Sequence, residues 1–198
     1  PAAERFRAYA ATAAPGPRKT DAQMRLGDSY FVGSQYRQAI EAYDIALSSG
    51  SSERDYAAYQ KAMSYGFLGQ EDNKREGLST FVGRFPTSSL KDDALFELGG
   101  SYANGGQDAQ AVGFLDRLIS EHPKSPLVAS ALMRKGLIYY NSGRNNEALE
   151  AFKTVAANYP GRPEAVQAVN TARLIYVDMG QVDQYASWVR GLDFVEVT

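Results

Sequence analysis

Residues 95–126 read LFELGGSYANGGQDAQAVGFLDRLISEHPKSP, and this stretch decides the fold. Leu95, Leu98 and Tyr102 recur at three and four residues, which is one apolar stripe along a helix. Asn104-Gly105-Gly106 stops that helix, because glycine enters the left-handed cap conformation without strain. Ala111, Leu115, Leu118 and Ile119 make a second stripe, and His122-Pro123-Lys124-Ser125 ends it. Ser125-Pro126 reads as the cap and the first helical position of the next helix. The stretch is thus a pair of helices joined by a tight turn.

The pair recurs on both sides. Tyr65, Tyr102, Tyr139 and Tyr176 are each 37 residues apart, and Gly69, Gly106, Gly143 and Gly180 keep the same step four residues later. Pro86, Pro123 and Pro160 also keep it. Three residue types locked to one period mean a repeat array, in which each unit buries its apolar face only against its neighbours. Residues 1–20 read as the tail of a preceding repeat, 21–52, 53–89, 90–126 and 127–163 as repeats, and 164–198 as a last, partial one. Tyr30 stands 35 residues before Tyr65, so the junction near Ser48-Ser49-Gly50-Ser51-Ser52 is shorter. The 53–89 unit is the most irregular, with Lys61 and Lys74 in slots that some sister units fill with apolar or small residues. Gly27, Gly99 and Gly136 sit three residues before their Tyr. A glycine inside a helix costs about 1 kcal/mol against alanine, so its recurrence predicts a partner helix too close for a β-carbon. Arg162-Pro163-Glu164 repeats the proline device, and Ser89 with Asp92 reads as a loose capping pair. The tail Leu192–Thr198 is β-prone and lacks an obvious polar cap, and Ala2, Phe6 and Tyr9 with the Pro15-Gly16-Pro17 turn fit the end of an earlier unit. The chain, which starts at Pro1, therefore reads as a piece of a longer array.

Composition narrows the function classes. A net charge of −2 over 198 residues gives no basic excess for nucleic acid or an acidic membrane surface. No stretch approaches the 18 or so apolar residues of a membrane span. With no cysteine there is no disulfide, no thiolate zinc site and no thiol catalysis. His122, the single histidine, takes the slot of Phe85 and Tyr159 before the turn proline and reads as a packing ring. No Gly-x-Ser-x-Gly elbow accompanies it. Glu71-Asp72-Asn73 and Asp92-Asp93 lack calcium-loop spacing, and the paired glycines follow no strand. Catalytic residues, a metal and a cofactor are accordingly not expected.

The Leu-Gly-x-x-Tyr of 26–30 and 98–102, the glycine after the first helix, the alanine and aromatic of the second and the closing proline resemble the tetratricopeptide repeat. The resemblance implies an all-α, right-handed superhelix of helix-turn-helix repeats. Its period of 37 departs from the standard 34. Longer units with Phe-Pro-x-Ser and Tyr-Pro-x-x-Pro turns, here 85–88 and 159–163, are similar to the variant common in bacterial cell-envelope proteins. The segment from Trp188 onward is similar to parts of very long tetratricopeptide proteins of Bacteroidetes-type bacteria. These links imply a periplasmic or outer-membrane-associated location, with the cytoplasm left open.

In this family the first helix of each pair lines the concave wall. The resemblance therefore assigns to that wall Met24, Asp28, Phe31 and Val32; Tyr59, Met63 and Phe67; Phe96, Gly100 and Asn104; Met133, Leu137, Tyr140 and Asn141; Asn170, Leu174, Val177 and Asp178. Aromatic and Met-rich walls suit a peptide or a helix, which they meet with adaptable apolar area. Asn104, Asn141 and Asp178 form a ladder two residues after their Tyr, open to two readings: backbone ligands for a peptide, or helix-end residues. The Lys and Arg needed for a C-terminal carboxylate clamp are replaced by Asp28, Met24, Phe96 and Asn170. The expected function is a protein–protein interaction scaffold, part of a larger envelope protein, with a peptide or protein partner. Three alternatives stay open: an accessory or substrate-recognition module of an enzyme, a glycan or peptidoglycan binder using Phe31, Tyr59, Phe96 and Tyr140, and self-association through open array ends.

Overall fold

A computed structural model describes residues 2–49 and 52–194, which form eleven helices and no strand. In order they are α1 (Ala2–Thr12), α2 (Pro17–Val32), α3 (Tyr36–Ser48), α4 (Arg54–Phe67), α5 (Glu71–Arg84), α6 (Lys91–Asn104), α7 (Asp108–Glu121), α8 (Val128–Asn141), α9 (Asn145–Asn158), α10 (Pro163–Asp178) and α11 (Val182–Val189). The chain divides into two compact units, Pro1–Ala94 and Leu95–Thr198, with the division inside α6.

One turn device ends every first helix. The N–H of the residue five after each Tyr donates to that tyrosine's carbonyl: Gln35 to Tyr30 at 2.8 Å, Gln70 to Tyr65 at 2.9 Å, Gln107 to Tyr102 at 2.9 Å, Arg144 to Tyr139 at 2.8 Å and Gln181 to Tyr176 at 2.7 Å. This bond requires a left-handed residue one place earlier. Gly69, Gly106, Gly143 and Gly180 supply it with φ between 67° and 72°. In the first full repeat the same place is Ser34, at φ 57°. The Tyr-to-Gly spacing of four is therefore the geometry of a helix stop.

Three of the helix pairs are locked by a notch. A β-carbon on Gly27 would lie 2.6 Å from the Tyr43 ring, on Gly136 2.5 Å from the Phe152 ring, and on Gly99 2.7 Å from Leu115. Tyr43, Leu115 and Phe152 are fully buried, so in these three pairs a core side chain of the second helix fills the space its partner's glycine leaves. The 53–89 repeat inverts the arrangement. Its first helix carries Ala62, and the glycine is Gly77 on α5, where a β-carbon would sit 2.9 Å from the Ala62 Cβ. The irregular Lys61 has a partner too: it reaches Asp44 at 2.6 Å, as Lys135 reaches Asp116 at 2.6 Å. Both pairs tie a second helix to the first helix of the next repeat. At the N-terminal side, Arg7 of α1 lies over the Tyr30 ring at 5.8 Å, and Lys153 of α9 lies over Tyr176 at 5.5 Å. Each cation stands 23 residues before its tyrosine, so α1 relates to α2 as α9 does to α10.

Four local expectations are corrected. Helix α8 begins at Val128 rather than Pro126, because the Ser125 hydroxyl accepts the Leu127 N–H at 3.1 Å and closes an extra turn. Before α6 the capping hydroxyl is Ser88, not Ser89: it accepts the Leu90 N–H at 3.2 Å and donates to Asp55 at 2.6 Å. Helix α2 opens at Pro17, the last residue of the expected Pro15-Gly16-Pro17 turn, because proline at its first helical position lacks only an N–H that has no intrahelical acceptor. In the tail, Leu192 and Phe194 pack on Ala156, Val169 and Val189 instead of extending as a strand, and residues 195–198 lie outside the described ones.

Overpacking a filled core site costs about 1–3 kcal/mol, so Gly136→Ala is expected to lower the denaturation midpoint. Gly113→Ala on α7, where a β-carbon meets nothing within 4 Å, is expected to raise stability by about 1 kcal/mol. Ser34→Gly is expected to raise it by a similar amount, about 1 kcal/mol, by relieving the left-handed serine. Chemical denaturation followed by circular dichroism measures all three.

Candidate binding surface

The face formed by the first helices is apolar in the N-terminal unit. Phe31 meets Tyr36 and Phe67 edge-on at 5.6 and 5.4 Å, and Tyr36 stacks on Phe67 at 4.8 Å. Phe67 is 57% exposed and Val32 85%. These rings cluster because α2 and α4 end beside the start of α3, all set by the same turn device. Tyr59 and Met63 are half-buried, and Tyr59 is turned edge-on against Phe81 at 5.8 Å.

Asp28 has a structural task on this face. One carboxylate oxygen accepts the hydroxyls of Tyr43 at 2.9 Å and Tyr56 at 3.0 Å, and the other faces Arg25 at 3.3 Å. Burial, then the Asp28 carboxylate, pushes the Tyr43 phenol far above its usual value. Burial also raises Tyr56, with the Gln60 amide opposing. The neutral phenols are thus favoured in the folded state, and Asp28 is an anchor joining three helices.

The first helices of the C-terminal unit present a polar surface of their own. Phe96 carries the Arg134 guanidinium over its ring at 4.1 Å, and the Phe96 carbonyl accepts from Arg134 Nη1 at 3.4 Å. Gly100 makes the space: a β-carbon there would overlap Nη1 at 2.0 Å. Burial pulls the guanidinium below its usual value, with the Glu97 charge opposing. Beside it a cavity of about 240 Å³ opens between α6 and α8, lined by Asn104, Asn141, Arg134, Leu137 and Asp108. Asp108 accepts the Ser142 hydroxyl at 2.6 Å. Asn104, Asn141 and Asp178 end their helices and are exposed. Backbone bonds of the glycine motif make each turn, so these side chains are left to solvent. Tyr140 and Leu137 are half-buried on the core, and Asn170 lies exposed on α10 with Leu174 (52%) and Val177 (55%).

Met24 and Met133 are not on this surface. They are 1% and 4% exposed and belong to core clusters, Met24 with Leu26, Tyr30 and Tyr43, and Met133 with Phe152 and Tyr176. Stepping back from the tyrosine along a helix reaches the core as readily as the wall. Arg134 is the residue that sequence reasoning missed. Its signal was Gly100, a bare wall slot where sister repeats carry Asp28, Met63, Leu137 and Leu174.

One tetratricopeptide repeat profile matches residues 56–88 and 93–125, and a second matches 2–54 and 115–163. No curated protein sequence matches the chain. Solved structures share the fold at low identity. A crystal structure of MamA is 23% identical, with 83% of this chain and 91% of that chain covered, at a TM-score of 0.68. YrrB, described as a TPR protein with an unusual peptide-binding site, is 18% identical over 95% and 90%, at 0.67. A putative kinesin light chain of Podosopora anserina with nearly identical TPR-like repeats is 20% identical over 90% and 97%, at 0.64. An all-α array of stacked helix pairs is a repeat scaffold of the α-solenoid class. The chain belongs to the tetratricopeptide repeat family, whose members bind peptide or protein partners.

Because Tyr43 ionises higher in the folded than in the unfolded chain, its stabilisation is complete below the usual phenol value of 10.0 and is lost as pH rises above it. The difference in denaturation midpoint between the native chain and Tyr43→Phe is expected to be constant near neutral pH and to shrink above pH 10.0. A difference that does not vary with pH removes the role assigned to this phenol.

Proposed function

We propose that this chain is a binding scaffold whose groove between α6 and α8 takes an extended acidic peptide segment. The observation that carries the reading is the Arg134 guanidinium, held over Phe96 beside two exposed asparagine amides. Arg134 is partly buried and only partly offset by the Glu97 charge, so a carboxylate that arrives with the ligand makes up further for its lost hydration. Asn104 and Asn141 each offer a donor and an acceptor, which matches the alternating groups of a peptide backbone. YrrB, with its peptide-binding site, supports a peptide as the ligand class.

The period of 37 and the Phe-Pro-x-Ser and Tyr-Pro-x-x-Pro turns support a place in a larger protein of the bacterial cell envelope. The glycan alternative has less support, since Phe31, Tyr59 and Phe96 already engage neighbours with ring faces or edges.

A random-peptide array probed with the native chain tests the groove. Bound peptides are expected to be rich in Asp and Glu. Losing one charge-assisted hydrogen bond costs about 1.5–3 kcal/mol, so Arg134→Gln is expected to weaken them roughly ten- to a hundredfold. Gly100→Ala, which evicts the guanidinium without removing it, is expected to weaken the same peptides. Binding that survives both changes overturns the assignment. Cell fractionation tests the envelope placement, and recovery in the cytosolic fraction overturns it.

A further inference from the structure

A second surface lies on the side of the second helices, within the N-terminal unit. The column seven residues before each tyrosine reads Gln23, Ala58, Leu95, Leu132 and Val169. Its apolar members fill core space. Leu132 packs on the cluster around Phe152 and Tyr176, and Val169 is buried with Ala156 and Val189. At Ala58 the column stops at a methyl group. Beside it α5 passes close to α4 at Gly77, where a β-carbon would meet Ala62 at 2.9 Å. The shortfall is an open cavity of about 370 Å³ among the end of α3, α4 and α5. Its apolar floor comes from Leu47, Ala58, Tyr65, Phe81 and Phe85.

The C-terminal unit holds the internal control. Lys135 and Asp116 pair at 2.6 Å there, as Lys61 and Asp44 do on the rim of this cavity. The ion-pair frame is therefore shared, while the lining differs, with Ala58 in the place of Leu132 and Gly77 in the place of Ala151. The rim also carries Glu76 and the exposed Arg84, whose guanidinium lies 5.7 Å from the Phe85 ring. Lys61 is paired with Asp44, so among the described residues lining this cavity Arg84 is the cation offered to a ligand.

The geometry points to a docking site for a partner polypeptide that inserts one Leu- or Phe-sized side chain above Ala58 and sets a neighbouring carboxylate against Arg84. The inserted side chain takes the place that Leu132 fills in the sister repeat. The volume sits at the lower end of the roughly 300–1,000 Å³ typical of ligand sites. Anchoring by one buried apolar side chain with a charged neighbour is a common way for a short segment to bind. This site shares no residue with the α6–α8 groove, so either can fail alone.

Filling the cavity is the decisive experiment. Ala58→Leu installs the residue of the sister repeats, so its thermal midpoint is expected to equal or exceed that of the native chain, which excludes misfolding as a cause of lost binding. Phage-displayed random dodecapeptides are selected on the native chain and counter-selected on Ala58→Leu. The expected survivors carry Leu, Phe or Trp beside Asp or Glu. Their affinity is expected to drop at least about tenfold on Ala58→Leu, and by a smaller factor on Arg84→Gln. It should be unchanged on Arg134→Gln. No survivors, or survivors without an acidic neighbour, overturn the proposal. So does Ala58-dependent self-association in sedimentation velocity, which would make the occupant a second copy of this chain.

Discussion

Two helices lie close enough for a side chain of one to fill the place of a missing β-carbon on the other, and the rest of the fold depends on that approach. Tyr43, Leu115 and Phe152 occupy the notches of Gly27, Gly99 and Gly136. Each fills a space that an alanine would close, so packing in these pairs is tight in the sense that one methyl group matters. The glycines weaken their own helices by about 1 kcal/mol each. The buried rings and leucine they admit are worth roughly 1.5–3 kcal/mol apiece in apolar area, so the exchange favours the pair. Where the glycine moves to the second helix, at Gly77, the same close contact survives with the roles reversed, and a cavity opens beside it.

The array is then propagated by turns and cross-repeat cations. A left-handed residue and a bond back to the tyrosine carbonyl end each first helix at the same point, so the second helix always leaves in the same direction. The ion pairs at Asp44–Lys61 and Asp116–Lys135 bridge successive repeats. Exposed pairs of this kind contribute only about 0–1 kcal/mol. Their placement at matching positions makes them markers of register more than sources of stability.

The same backbone plan supports different surfaces. In the slot two residues after the tyrosine stand Val32 and Phe67 in one unit and Asn104, Asn141 and Asp178 in the other. That slot lies at the end of the first helix and is exposed in every repeat, so nothing in the core constrains it. Polar or apolar recognition is therefore chosen without disturbing the fold, which is how repeat scaffolds vary their ligands.

The period, the helix pairs, the glycine stops and the close approach at Gly27, Gly99 and Gly136 were all legible in the residues, because each is a local rule repeated at a constant step. The placement of Asp28, Phe31, Phe96, Asn104 and Asn141 on the first helices was legible as well, and all five are half-buried or exposed there. Tertiary structure alone decided the rest. Met24 and Met133 turn into the core, Asp28 is taken by Tyr43 and Tyr56, and Arg134 lies over Phe96 only because Gly100, on another helix, leaves room. A repeat pattern records which face of a helix a residue shares. Whether that face meets solvent, a neighbouring ring or an empty slot depends on side chains from other repeats, and their sizes do not follow the period.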